Sequence, residues 1–190
     1  MLYPSRMQRL AIAILLGLSA AAGSYSADTS PPYGTANLSG GTAAVAFSPE
    51  GRAQAEIVRA IQAARRSIWV QAYGFSNHAI IGALVDAKTR GVDVRVIVDK
   101  SDTHGRQASG VRAMLAAGVP VWTDYRPAIA HNKVMILDGA DVITGSFNFT
   151  EAAQTRNAEN VLHLSGVPEL AALYARDWLW REQQSRKLEP

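Results

Sequence analysis

Two long apolar runs, Ile129–Asp138 and Asp141–Phe149, meet at the tetrapeptide Asp138-Gly139-Ala140-Asp141. So short a connection joins them as an antiparallel hairpin, because parallel neighbours need a crossover of about a dozen residues or more. The rest of the chain reads differently. Helical stripes alternate with β-branched runs: Glu50–Arg66 precedes SIWVQAY (67–73), Asn77–Arg90 precedes VDVRVIVD (92–99), and Arg106–Ala117 precedes Val119–Thr123. That alternation predicts parallel strands linked by crossover helices. A hairpin set into such a series forces a mixed sheet. The expected fold is therefore α/β, a mixed central β-sheet flanked by helices on both faces. A short helix near Thr150–Arg156, a strand over Glu159–Leu164 and a closing helix from about Val167 to Gln184 complete the order. Trp178 and Trp180 stand two apart on that last helix and cannot share a face, so one is expected in the core or an interface.

The ends of the chain carry different signals. Arg6 and Arg9 precede the 14-residue apolar stretch Leu10–Gly23, and small residues follow at Ala22, Ser24, Ser26 and Ala27. Residues 1–26 read as a secretory signal, cleaved after Ser24 or Ser26. The stretch is short and diluted by Ala and Ser, which disfavours a membrane anchor of about 20 apolar residues. An exported protein, periplasmic or secreted, without stable membrane association after cleavage, is expected. Residues 27–46 are Gly-, Pro-, Ser- and Thr-rich and read as a flexible linker that turns into an edge strand near Thr42–Phe47. One catalytic domain is expected over 47–186. With 48% hydrophobic residues it has the means to bury a core. The absence of Cys from the chain excludes zinc–cysteine sites, iron–sulfur clusters and a thiol nucleophile. The formal charge of +3 permits an anionic partner without demanding one.

The informative stretch is AHNKVMILDGADVITGSFNFTEAAQTRNAENV, 130–161. A two-residue Gly139-Ala140 turn places Val142 opposite Leu137, Ser146 opposite Lys133 and Asn148 opposite His131. Side chains alternate along a strand, and directly opposed residues share a face. Four polar groups then converge on one patch: a nucleophile or base (His131), a fixed cation (Lys133) and two neutral hydrogen-bonding groups (Ser146, Asn148). A slip of one residue would undo the convergence. With no paired carboxylates and no His pair at metal-ligand spacing, the patch suits an anionic ligand without a metal or other cofactor. A phosphodiester is the natural candidate, with His131 attacking phosphorus while Lys133, Ser146 and Asn148 stabilise charge on the non-bridging oxygens. Asp138 has the opposite parity to His131 and is expected to be structural. Glu159 opens the next strand and is the candidate acceptor for the other nitrogen of His131.

These residues resemble a known family. His131-x-Lys133-x₄-Asp138, followed by Gly145-Ser146-x-Asn148, resembles the signature of the phospholipase D superfamily. FSPEG (47–51), RGVDVRVIVD (90–99), TGSFNFT (144–150) and the NAEN tetrad (157–160) are similar to its small periplasmic endonucleases. The resemblance spans most of 45–185. It implies a metal-independent phosphodiesterase with a phosphohistidine intermediate and a second His as general acid. On the matching positions, His131 and Lys133 carry catalysis and phosphate binding, Ser146 and Asn148 support the phosphate, Glu159 orients His131, and Asp138 is structural. Large members of the superfamily carry two motifs, and here there is one, since His78, His104 and His163 lack the x-Lys partner. A C2 homodimer with the active site on the two-fold axis is therefore expected, with a bell-shaped dependence of activity on pH.

Non-specific cleavage of DNA, with RNA as a further substrate, is the first expectation. A phospholipid phosphodiester is the alternative, and a lipid enzyme would need an apolar rim or membrane-facing helix. A catalytically dead binding protein would have no use for the His. Arg106, Arg112 and Arg126 flank loops before the motif strands and are candidate contacts for a nucleic-acid backbone. His104 is an ordinary loop residue or a substrate contact.

Overall fold

The computed structural model describes residues 34–105 and 107–189, so the expected signal segment, the start of the linker and Arg106 lie outside the described residues. From Thr42 onward the order is β1 (Thr42–Ser48), α1 (Ala53–Ala63), β2 (Ser67–Ala72), α2 (His78–Thr89), β3 (Asp93–Asp99), a 3₁₀ turn (Lys100–Thr103), α3 (Ser109–Ala116) and β4 (Val121–Asp124). Then follow β5 (Val134–Leu137), β6 (Asp141–Gly145), α4 (Glu151–Thr155), β7 (Glu159–Ser165), α5 (Pro168–Glu182) and β8 (Arg186–Lys187). The linker expected to 46 thus gives way at Thr42 to an edge strand. All eight strands form one mixed sheet in the order β1-β7-β6-β5-β2-β3-β4-β8.

β2, β3 and β4 are parallel, joined through α2 and α3, while β5, β6, β7 and β1 pair antiparallel in succession. The C-terminal ends of β2, β3, β4 and β6 therefore lie at the same end of the sheet as the N-terminal ends of β5 and β7. Helices cover both faces. On one, α1, α2 and α3 bury Ile57, Ile61, Ile80, Leu84 and Met114 against Val70, Val96, Met135 and Ile143. On the other, α5 brings Ala171 and Trp178 onto Ile97, Val134, Ile136 and Val142. Alternate residues of β5 thus go to opposite cores, the period-2 pattern of a strand buried on both faces. Trp178 fixes α5: it is fully buried, packs against Trp69 and Trp122, and its indole N–H donates to the Val70 carbonyl at 3.0 Å.

The hairpin departs from the expected register. Pairs run Met135↔Ile143, Ile136↔Val142 and Leu137↔Asp141, one residue off the predicted Leu137↔Val142. The turn sits on Asp138-Gly139, both at positive φ (54° and 65°), closed by Ala140 N–H to the Leu137 carbonyl at 3.0 Å. Asp-Gly is the stronger type I′ pair, because both central residues of that turn need positive φ. Ala140 is left over, which makes a three-residue loop. The strands are also shorter than their apolar runs: β5 begins only at Val134, and β6 ends at Gly145. The expected Ser146–Lys133 and Asn148–His131 pairs therefore do not form.

Candidate active site

Although the ladder does not pair them, the polar residues gather at one end of the sheet, each placed by its own anchor. His131 and Lys133 lie on the approach to β5. The Ala130 N–H donates to Asp99 Oδ2 at 2.8 Å, and Asp99 ends β3. Burial pushes the Asp99 carboxyl up, but the Ser101 amide and hydroxyl and the Ala130 amide outweigh it and hold it below the ordinary range. His131 is exposed and Lys133 buried. The Lys133 ammonium donates to His131 Nδ1 at 3.0 Å and to the His131 carbonyl at 2.8 Å. Burial lowers the Lys133 pKa, and the nearby Glu159 carboxylate opposes that shift.

Tyr73 completes this side. Its ring centroid lies 4.4 Å from that of His131, and Lys133 Nζ stands 5.2 Å from the Tyr73 ring. The turn after Tyr73 is pinned by buried Asp102, which accepts from Gly74 N–H at 2.9 Å and Phe75 N–H at 3.0 Å. Desolvation raises the Asp102 pKa in spite of those bonds. Two aspartates of the β3–α3 connection thus hold the two flanks of the site. The same turn holds the Asn148 segment: Ser76 and Asn77 N–H donate to the Phe149 carbonyl at 2.9 and 2.8 Å. A Cβ on Gly74 would come within 2.8 Å of Thr150 and 3.5 Å of Asn148. Asn148 Oδ1 is buried and accepts no hydrogen bond from the described residues.

Ser146 and Glu159 form the third side. At Gly145 (φ 149°) an added Cβ would stand 2.3 Å from the Asn160 carbonyl, and Ser146 and Phe147 N–H both donate to that carbonyl at 3.2 and 3.3 Å. Two amides on one carbonyl mark a bulge, which turns Ser146 toward β7. The Ser146 hydroxyl donates to Glu159 Oε2 at 2.5 Å and accepts from Asn160 N–H and Nδ2 at 3.1 and 3.2 Å. Asn157 Nδ2 donates to the other Glu159 oxygen at 3.0 Å. Within one chain Glu159 is therefore bound by Ser146 and Asn157, and the expected hydrogen bond to His131 is not made among the described residues. The Ser146 proton is committed to a carboxylate, so in this geometry the hydroxyl positions Glu159.

Asp138 stands apart, in the β5–β6 turn. Its carboxylate accepts from the backbone N–H groups of Arg65, Arg66 and Ser67 at 2.9, 2.7 and 3.0 Å, tying the β5–β6 turn to the α1–β2 connection. Arg66 also donates to the Asp138 carbonyl. The remaining histidines are elsewhere engaged. His78 is an exposed neighbour of Glu151, His104 contacts Thr103 Oγ1, and buried His163 bonds Glu56 and Ser165. Among the described residues no three His, Asp or Glu form a metal-ligating group.

The exposed imidazole backed by a buried lysine two residues on matches the spacing that carried the sequence resemblance, whereas Ser146 meets Glu159, a contact the resemblance did not give. A family model described as "Cardiolipin synthase, PLD-like domain" matches residues 57–180. The chain belongs to the phospholipase D superfamily. A phospholipase D of Rickettsia bellii is 41% identical over 161 residues, 83% of this chain and 79% of the relative. The human mitochondrial cardiolipin hydrolase is 36% identical over 115 residues, 60% of this chain and 45% of that protein. Among solved structures, the phospholipase D family member Nuc from Salmonella typhimurium matches with a TM-score of 0.75 and 40% identity, over 79% of this chain and 99% of Nuc. NucT from Helicobacter pylori shares the fold with a TM-score of 0.69 at 19% identity, over 78% of this chain and 99% of that one. Within this phospholipase D domain, Tyr73, Asp99 and Asp102 join the site by contacts that no local sequence pattern marks.

Proposed function

We propose that the chain is a metal-independent phosphodiesterase that cleaves nucleic acid, DNA foremost, through a phosphohistidine on His131. The observation that carries this reading is the His131–Lys133 pair: an accessible imidazole whose one ring nitrogen is already met by a fixed cation. In the resting arrangement the ammonium on Nδ1 leaves the ring proton on Nε2. A phosphate entering the site draws the ammonium to its non-bridging oxygens and releases an imidazole nitrogen for attack. A nitrogen–phosphorus bond forms, the bond to the leaving oxygen breaks, and a second imidazole protonates that oxygen. Water then displaces the histidine and yields the phosphomonoester.

The other histidines of the chain contact Glu151, Thr103, Glu56 and Ser165 instead, so the second imidazole is assigned to His131 of a second copy across a two-fold axis. Glu159, held by Ser146 and Asn157, stands near Lys133 and supplies the site with negative charge. The exposed Arg126 and Arg156 lie at the same end of the sheet and supply contacts for a polyanionic backbone. Residues 1–26 export the protein to the periplasm, which fractionation with and without that segment tests.

A second reading has its own observation. Phe47 and Ile129 flank the site end and are 61% and 54% exposed. Exposed apolar side chains beside a phosphodiester site suit a phospholipid. No helix among the described residues is long and apolar enough to cross a membrane.

Plasmid nicking in excess EDTA, with His131→Ala alongside and phosphatidyl esters in parallel, separates the readings. Metal-free nicking that vanishes in the variant is expected. Turnover of the lipid alone would transfer the same chemistry to the second substrate.

A further inference from the structure

Beside His131 the structure holds a cleft of about 200 Å³ that no step above uses. Ile97, Pro127 and Ile129 give it apolar walls, and Gln71, Asp124 and Arg181 give it a polar end. Asp124 is buried and satisfied, accepting from Arg181 Nη1 at 3.3 Å and from Arg126 N–H at 3.0 Å. Gln71 is committed too: its amide donates to Asp177 at 2.9 Å and its carbonyl accepts from Asn132 at 2.6 Å. Arg181 is under-used. It gives Asp124 one of its N–H groups, its Nε–H is without an acceptor among the described residues, and 26% of its side chain is exposed.

The balance of these groups selects a ligand class. A second phosphate is disfavoured, because Asp124 neutralises the guanidinium. An acyl chain would strand the polar end and outgrow the volume. A flat, neutral heterocycle with acceptor atoms fits both the walls and the donors. We propose that this cleft receives the base of a nucleotide next to the scissile phosphate. Each of the four bases carries a ring-nitrogen or carbonyl acceptor, so a guanidinium donor admits all of them and reads none. The inference rests on the nuclease reading, and it gives that reading a way to hold the strand without sequence preference.

The test compares two diesters with one leaving group: thymidine 5′-(p-nitrophenyl phosphate) and methyl p-nitrophenyl phosphate. The wild-type chain is expected to favour the thymidine ester at least ten-fold in kcat/KM. Ile129→Trp, which fills the cleft from an exposed position, is expected to cut that ratio about ten-fold, within the range of base stacking on a side chain. A ratio near one in the wild type, or one unchanged in the variant, overturns the proposal. A second measurement needs no variant. Thymidine 5′-monophosphate should inhibit the wild type at least ten-fold more tightly than methyl phosphate, and equal inhibition overturns the proposal as well. Nicking of DNA with no base-dependent ratio sinks the cleft alone. Failure of the wild type to cut any nucleic acid sinks the nuclease reading and the cleft together.

Discussion

Lys133 Nζ stands 3.0 Å from Nδ1 of His131, on the approach to β5, where buried Lys133 also donates to the His131 carbonyl at 2.8 Å. The cation is thus held by two atoms of His131, with the Tyr73 ring and the Glu159 carboxylate as its further neighbours. Lys133→Met should leave the melting temperature close to wild type and lower kcat by about 10²–10³-fold, the scale of a lost charge-stabilising group. Lys133→Arg should recover only part of this, since a planar fork is not a point charge on a flexible stem. Single-turnover kinetics on a labelled oligonucleotide checks both. A Met variant with wild-type kcat would remove Lys133 from the chemistry.

Tyr73 packs its ring on His131 and lies under Lys133, so the ring and not the hydroxyl is the expected contributor. Tyr73→Phe should keep activity within about two-fold, whereas Tyr73→Leu should lose about five-fold in kcat, as the loss of an aromatic contact of about 1 kcal/mol implies. The Phe variant is the discriminating one. If it fell as far as Leu, the hydroxyl would be acting on substrate.

Ser146 makes a third case. Its proton goes to Glu159 and its lone pairs are met by Asn160, so Ser146→Ala should loosen the carboxylate and leave phosphate affinity alone. A loss of about 5–30-fold in kcat, for one or two kcal/mol, with KM unchanged and a displaced pH profile, is expected. Ser146→Thr keeps the hydroxyl and should restore most of the loss. A rise in KM at constant kcat would assign Ser146 to the phosphate.

The architecture was legible because the hairpin and the helix–strand alternation admit only a mixed sheet. The site was legible in part. His131 and Lys133 were legible as a pair two residues apart, and Asp138 sits past the far end of β5, bound to the α1–β2 connection. The partnering of Ser146 and Asn148 was not legible, for two local reasons. The turn formed on Asp138-Gly139, which moved the register by one, and the β5–β6 pairing ran out at Met135↔Ile143, with the bulge at Gly145 turning Ser146 toward β7. Both depend on long-range partners: the α1–β2 connection that claims the Asp138 carboxylate, and the Asn160 carbonyl that crowds Gly145. The same holds for Tyr73, Asp99 and Asp102, whose roles come from strands brought together by the crossovers. Periodicity carries no information on such contacts.

Asp138 supplies a prediction in which stability and activity separate. Burial alone would raise its pKa, but the amides of Ser67, Arg65 and Arg66, with the Arg66 charge, hold it below the ordinary value. A carboxyl whose folded pKa is depressed adds stability above its unfolded pKa of about 4, and loses it as pH falls through the folded value. Asp138→Ala strands three amides of the α1–β2 connection and should cost about 1–3 kcal/mol at pH 7. The gap between wild type and variant should narrow once pH falls below the unfolded value and close as the folded carboxyl, whose pKa lies lower still, protonates. Urea unfolding at pH 7 and at pH 3 measures the difference, with specific activity taken at a temperature where both are folded. Near-normal activity is expected, because no atom of Asp138 touches His131 or Lys133. A variant as stable as wild type but inactive would place Asp138 in the chemistry and contradict the parity argument.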